Sequence, residues 1–265
     1  DRVREFEEAF AKLHNRRWGI MVNSGSSANL IAVAALQHAG RLPRGSTVLV
    51  PAIAWSTTYA PLQQYGLKLH VLDVEPDTLN IDVEGVEEFI GRHIQTEERF
   101  GPLALVGVSI LGNPAKLDLL RGLADSYKMT FLEDNCESLG ASIEWPGSTN
   151  PNSDRLTGTF GDISTFSFFF SHHLNTVEGG MLLTDDADLA DLALCLRAHG
   201  WARDLPPNST LRPLSKHTGF SVDYEFILPG YNVRPTEIAA AVGLVQLGKL
   251  KAMEQQRVNN ARDFV

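Results

Sequence analysis

Short apolar runs alternate with amphipathic stretches along most of the chain, and this alternation restricts the fold more than any other feature. Residues 19–22, 47–50, 69–72, 103–110 and 129–132 are apolar runs of strand length. Between them Leu30, Val33, Ala34 and Leu36 repeat at helical spacing, and residues 57–65, 83–90 and 117–127 read as further helices. Strands that alternate with helices need crossover connections. The pattern therefore predicts an α/β fold, a mostly parallel sheet sandwiched by helices on both faces.

The pattern changes after residue 132. A stretch rich in Pro, Gly, Ser and Asn, residues 145–158, reads as a surface loop. Strands follow at 163–168 and 180–184, then a helix at 187–199, while 201–230 carries Pro206, Pro207, Pro213 and Pro229 and reads as irregular. From 235 to 265 one helical pattern runs on with no capping Gly or Pro after it, as though the chain stopped inside an element. At the other end Val3, Phe6, Phe10 and Leu13 share one helical face.

Composition narrows the function classes. With 265 residues, 43% apolar and 21% charged, the chain can bury a large core and lies outside the disordered and low-complexity classes. A net charge of −9 with no Lys/Arg cluster argues against nucleic acid as a partner. The two longest uncharged runs, 18–40 and 46–67, are interrupted by polar residues or prolines, which argues against a membrane span. The first residues lack the apolar core of a signal peptide, and Cys136 and Cys195 are too few for a disulfide framework. A cytoplasmic location is the expectation.

In open α/β sheets ligands bind at the carboxyl ends of strands, so the residues just after each strand are the first candidates. Ser24-Gly25-Ser26-Ser27 opens a helix, where free N–H groups and hydroxyls suit a phosphate; a plain Ser N-cap explains the same residues. It is not a dinucleotide fingerprint, because Ser27 and Leu30 stand where glycines are required, and no Gly-Lys-Ser/Thr occurs. Asp134 ends a buried strand, either as a helix N-cap or as the partner of a protonated ring nitrogen. Trp55 could stack on a planar ligand, although its position alone favours the core. His172 and His173 end an aromatic run and should point opposite ways on an extended chain. No third ligand accompanies them at regular spacing, so no metal is expected. Asn232 precedes the last helical stretch and reads as a cap unless an anion lies nearby.

Together, Asn23-Ser24-Gly25-Ser26-Ser27-Ala28-Asn29, the Pro51–Thr58 stretch with Trp55, Leu111-Gly112-Asn113-Pro114, Glu133-Asp134-Asn135-Cys136-Glu137-Ser138, residues 166–180 and Gly230-Tyr231-Asn232-Val233-Arg234-Pro235 resemble the DegT/DnrJ/EryC1/StrS family of fold-type I sugar aminotransferases and dehydratases, which use pyridoxal 5'-phosphate (PLP). The resemblance implies that Gly25, Ser26 and Ser167 hold the phosphate, Trp55 stacks on the ring and Asp134 meets the ring nitrogen. Glu137 falls near the ring hydroxyl, where most aminotransferases of the group have Gln. Asn232 would reach the phosphate of a neighbouring subunit, implying a homodimer with shared active sites. It also implies that residues 1–250 form the cofactor-binding large domain and 251–265 a helix leading toward a small C-terminal domain.

One departure from the aminotransferase pattern carries the functional expectation. Five residues after Ser167, where aminotransferases of the group place the lysine that links to the cofactor, stands His172, and no Lys occurs between Lys128 and Lys216. An imidazole moves protons but offers no primary amine. By resemblance the working cofactor is pyridoxamine 5'-phosphate, made from PLP with L-glutamate, and the reaction removes the C3 hydroxyl of a nucleotide-linked 4-keto-6-deoxyhexose in dideoxysugar and O-antigen synthesis. The dehydratases of the group acting on GDP-4-keto-6-deoxy-D-mannose carry the same Ser-His-His and Glu-Gly-Gly residues. Those acting on CDP-4-keto-6-deoxyglucose carry an iron–sulfur cluster, for which two cysteines are too few. Transamination of another 4-keto sugar and a non-catalytic homologue are the alternatives.

Overall fold

The computed structural model describes residues 1–95, 103–144, 154–212, 221 and 224–264. Among them a seven-stranded sheet forms the centre. Its strands are β1 (Trp18–Val22), β2 (Thr47–Pro51), β3 (Lys68–Leu72), β4 (Leu103–Val108), β5 (Thr130–Asp134), β8 (Ile163–Ser167) and β9 (Gly180–Thr184), in the spatial order β1-β9-β8-β5-β4-β2-β3. The ladders from β3 across to β8 are parallel. β9 runs antiparallel to both β8 and β1, because the turn-rich connection between Ser167 and Gly180 carries no crossover helix. Two short strands, β6 (Ser142–Ile143) and β7 (Arg155–Leu156), pair separately. β6 precedes the expected 145–158 loop and β7 lies within it; most of that loop lies outside the described residues.

Each strand divides its side chains between two layers, as a two-residue period requires. Val48, Val50, Ala104, Val106 and Leu132 join one core with α2 (Gly25–His38) and α6 (Ala187–Arg197), and α3 (Ser56–Gln64) adds Leu62 to it. Leu49, Leu105 and Phe131 face the other side, against α4 (Val83–Gln95) and α5 (Leu117–Tyr127). At the β1 edge Met21, Phe166, Met181 and Leu183 pack on Phe6 and Phe10 of α1 (Arg2–Leu13) and on Ala240 of α7 (Glu237–Leu247).

The structure departs from the sequence expectations at three places outside the site. The 235–265 pattern is two helices, α7 and α8 (Leu250–Phe264), separated at Gly248; the N-cap of α7 is Thr236, whose hydroxyl accepts the Ala239 N–H. Leu13 is exposed, and His14 is the buried residue at the end of α1. The 103–110 run leaves β4 at Val108 and closes in a 3₁₀ turn, Ile110–Gly112, in which Leu111 has a φ of 53°.

His14 lies against Phe10 and Phe166, with Nδ1 3.0 Å from the Phe10 carbonyl. Burial lowers its pKa from 6.5 to about 4. The folded value lies below the unfolded one, so folding favours the neutral ring. Its contribution is complete above pH 6.5 and is lost as the pH falls from 6.5 toward 4, a swing of about 3 kcal/mol. Denaturant unfolding followed across this interval should show that loss, and His14→Leu should flatten the dependence by the same amount.

Candidate active site

The carboxyl ends of β1, β2, β5 and β8 open on one cavity of about 420 Å³. Seven of the eight residues expected in the site line it: Gly25, Ser26, Trp55, Asp134, Glu137, Ser167 and His172. Asn232 does not. It is exposed, its backbone pairs with Ala198, and it accepts a hydrogen bond from Arg234 Nε. It is not a helix cap either, since that position belongs to Thr236.

Two helix starts build one side of the cavity. Ser24 is the N-cap of α2 and its hydroxyl accepts the Ser27 N–H, leaving the N–H groups of Gly25 and Ser26 without an intrahelical acceptor. The N-cap reading of Ser24 holds, and these two N–H groups stay available beside the cavity. A Cβ on Gly25 would lie 2.5 Å from Ser167 Cβ and 2.9 Å from its Oγ, so only glycine lets the β8 hydroxyl reach the helix start. Gly180, opposite both Val22 and Ser167, allows the same approach: a Cβ there would lie 2.3 Å from the Ser24 carbonyl oxygen. From α3, Thr57 Oγ1 accepts the Ser26 hydroxyl at 3.0 Å.

Trp55 occupies the N-cap position of α3, with extended backbone and no capping bond from its side chain. It is 69% exposed, so the core reading fails and the ring is free on the cavity wall. Asp134 is the opposite case, 4% exposed at the end of β5. It does not cap a helix, because a turn follows it. Its Oδ1 accepts the Cys136 N–H at 3.1 Å, while Oδ2 accepts Asn29 Nδ2 and Thr58 Oγ1, each at 2.8 Å. Glu137 Oε2 accepts the Leu111 N–H at 2.6 Å and so fixes the turn beside the cavity.

His172 lies in a turn, not on a strand, with its N–H donating to the Phe169 carbonyl at 3.0 Å. It lines the cavity and His173 does not; the turn, and not the alternation of an extended strand, separates them. Burial lowers the His172 pKa below 6.5, partly opposed by the carboxylates of Glu137 and Asp134. The ring is therefore mostly neutral at neutral pH, free to accept a proton. Burial, with the Asp134 carboxylate beside it, raises the Cys136 thiol pKa well above its usual value.

Asn29, Thr57, Thr58 and Glu178 lie in the segments that carry the resemblance, but no role follows for them from the sequence. The available signal was helical spacing: Asn29 falls one turn after Gly25 on α2, and Thr57 and Thr58 open the helix that Trp55 precedes.

The mostly parallel sheet flanked by helices, with a cavity at its carboxyl edge, is an aminotransferase-type α/β fold. The chain belongs to the DegT/DnrJ/EryC1/StrS aminotransferase family, whose sequence profile matches residues 1–264. It is 40% identical over 265 residues to the GDP-4-keto-6-deoxy-D-mannose 3-dehydratase of Escherichia coli O55:H7, covering 99% of this chain and 64% of that one. Among solved structures it superposes with a TM-score of 0.85 on a GDP-4-keto-6-deoxymannose-3-dehydratase variant with bound GDP-perosamine, at 41% identity over 98% of this chain and 64% of that one. The E. coli dehydratase with bound hydrated PLP gives the same TM-score at 40% identity, over 99% and 64% of the two chains. The chain thus spans less than two thirds of the length of these relatives.

Because a Cβ at residue 25 would press on Ser167 through backbone-linked atoms, Gly25→Ala should shift both segments. A loss of about 1–3 kcal/mol in unfolding free energy and at least tenfold weaker binding of PLP, followed by absorbance titration, are the expected outcomes.

Proposed function

We propose that this chain is the cofactor-binding part of a PLP/pyridoxamine-phosphate-dependent 3-dehydratase that removes the C3 hydroxyl of a nucleotide-linked 4-keto-6-deoxyhexose, GDP-4-keto-6-deoxy-D-mannose, with L-glutamate as amino donor. The observation that carries the reading is His172, a half-buried imidazole held in a cavity whose described lining contains no lysine. The likeness to dehydratases named for that substrate points the same way.

The residues present fit the cofactor. Gly25, Ser26 and Ser167 form a cradle for its phosphate, Trp55 offers a free ring face, Asp134 is an acceptor held by three donors, and Glu137 stands beside it. When bound, pyridoxamine phosphate supplies a primary amine for the sugar ketone and a ring that accepts electrons. Asp134 holds a proton on the ring nitrogen by a charge-assisted hydrogen bond. With the cofactor bound, His172 would accept the proton released at its C4′ carbon and deliver it to the C3 hydroxyl, which would leave as water; an imidazole can both take up and give a proton near neutral pH. Without a lysine to anchor the cofactor, retention depends on the cradle and on Trp55.

Two further parts belong to this proposal. Asn232, exposed and outside the cavity of its own chain, serves the phosphate of a second copy in a homodimer with shared active sites. Residues 1–250 form the large domain and 251–265 the helix toward a small domain. No described helix is long and apolar enough to cross a membrane, which accords with a cytoplasmic location.

Adding PLP and L-glutamate should move the absorbance from the aldehyde to the amine form, and a following addition of the GDP-linked keto sugar should release ammonia and a deoxygenated product. Formation of an amino sugar in its place would overturn the dehydratase reading. His172→Asn should bind cofactor normally but lose turnover by about 10²–10⁴-fold. Because the neutral ring is the base and its pKa is lowered, kcat/KM should be constant at neutral pH and fall, on acidification, through a value below 6.5.

A further inference from the structure

Asp134 is held by a chain of bonds that begins outside the cavity. Thr165, fully buried on β8 and paired in register with Asp134, donates its hydroxyl to Asn29 Oδ1 at 2.6 Å. This fixes the orientation of the Asn29 amide, so its Nδ2 must face Asp134, where it donates to Oδ2 at 2.8 Å. Thr58 of α3 brings a second donor to the same oxygen, also at 2.8 Å. Asn29 and Thr58 are each 3% exposed; Asn29 lines the cavity beside Asp134, and Thr58 stands behind it. An oxygen that accepts two protein donors has no place for a proton of its own. A ligand proton must then approach by the other oxygen, Oδ1, and the two donors on Oδ2 stabilise the negative charge that favours keeping that proton on the ligand.

We infer that Thr58 and Asn29, oriented by Thr165, are positioning residues for Asp134: they keep its Oδ2 an acceptor and thereby keep the ring nitrogen of the bound cofactor protonated. The inference rests on the cofactor reading given above and deepens it, since it names the side chains on which the electron-accepting power of the ring depends. A purely structural role, satisfying buried polar groups, would change stability without changing the protonation of the ligand.

The test uses pyridoxamine phosphate labelled with ¹⁵N in the ring, bound to the full chain. Thr58→Val preserves shape and removes the donor, while Thr58→Ser restores it. Thr58→Val should raise the Kd for pyridoxamine phosphate about five- to tenfold, the size of one lost hydrogen bond, and move the ring ¹⁵N resonance toward its neutral-pyridine position. Thr58→Ser should return both to the wild-type values. Thr165→Val, one bond further out, should move the resonance in the same direction and provides the reading if Thr58→Val does not fold. Unchanged Kd and ¹⁵N shift in Thr58→Val, with wild-type binding intact, would overturn the positioning role alone. A wild-type chain that binds neither cofactor form would overturn the cofactor reading, and this role with it.

Discussion

Two adjacent carboxylates at the end of β5 set the terms for the rest of the molecule. Glu133 and Asp134 are taken almost wholly out of water, and each would cost several kcal/mol if its hydration were not replaced by donors. Successive strand residues point to opposite faces, so the two draw donors from different parts of the chain. Glu133 accepts the N–H groups of Gly158, Phe160 and Gly161 and the Ser164 hydroxyl, and thereby ties the segment before β8 to the centre of the sheet. Asp134 draws Asn29 from α2, Thr58 from α3 and the Cys136 N–H from its own turn. One carboxylate organises the scaffold and its neighbour organises the cavity.

The cavity itself comes from close approach. Gly25 and Gly180 let α2, β8 and β9 meet at distances that any side chain would prevent. The ion pair of Arg197 with Glu7, with Arg197 also donating to the Met21 carbonyl, joins α6, α1 and β1 behind this junction. His172 then needs no strand to aim it. The turn from Phe169 sets its direction, and partial burial favours the neutral ring while the carboxylates of Glu137 and Asp134 oppose that shift. A group with these properties can take up a proton and give it back at one site.

Much of this was legible in the sequence because periodicity reports burial. The strands lie within a few residues of the periodic runs, and the strand-end rule points to Gly25, Asp134 and His172, while Ser167 is legible only through the family resemblance. The exposure of Trp55 is not legible, since an isolated tryptophan after a strand carries no sign of which way its ring turns; at the start of α3, on extended backbone, it is exposed. Asn29, Thr58 and Thr165 were silent for a different reason. A polar residue inside a helix or strand declares no partner until the elements are packed, and these three lie on α2, α3 and β8.

The sequence by itself determined the alternating α/β architecture, the family, and the presence of an imidazole where a lysine would otherwise stand, because these depend on residue type, order and spacing along one chain. Tertiary structure alone decided that β9 runs antiparallel, that one histidine of the pair enters the cavity, and that Asp134 shares an oxygen between two donors from separate helices. Those outcomes depend on the register of strands and the approach of helices distant in sequence. The physical reason is that hydrogen bonds are short and directional, so they are settled only when packing brings donor and acceptor within about 3 Å.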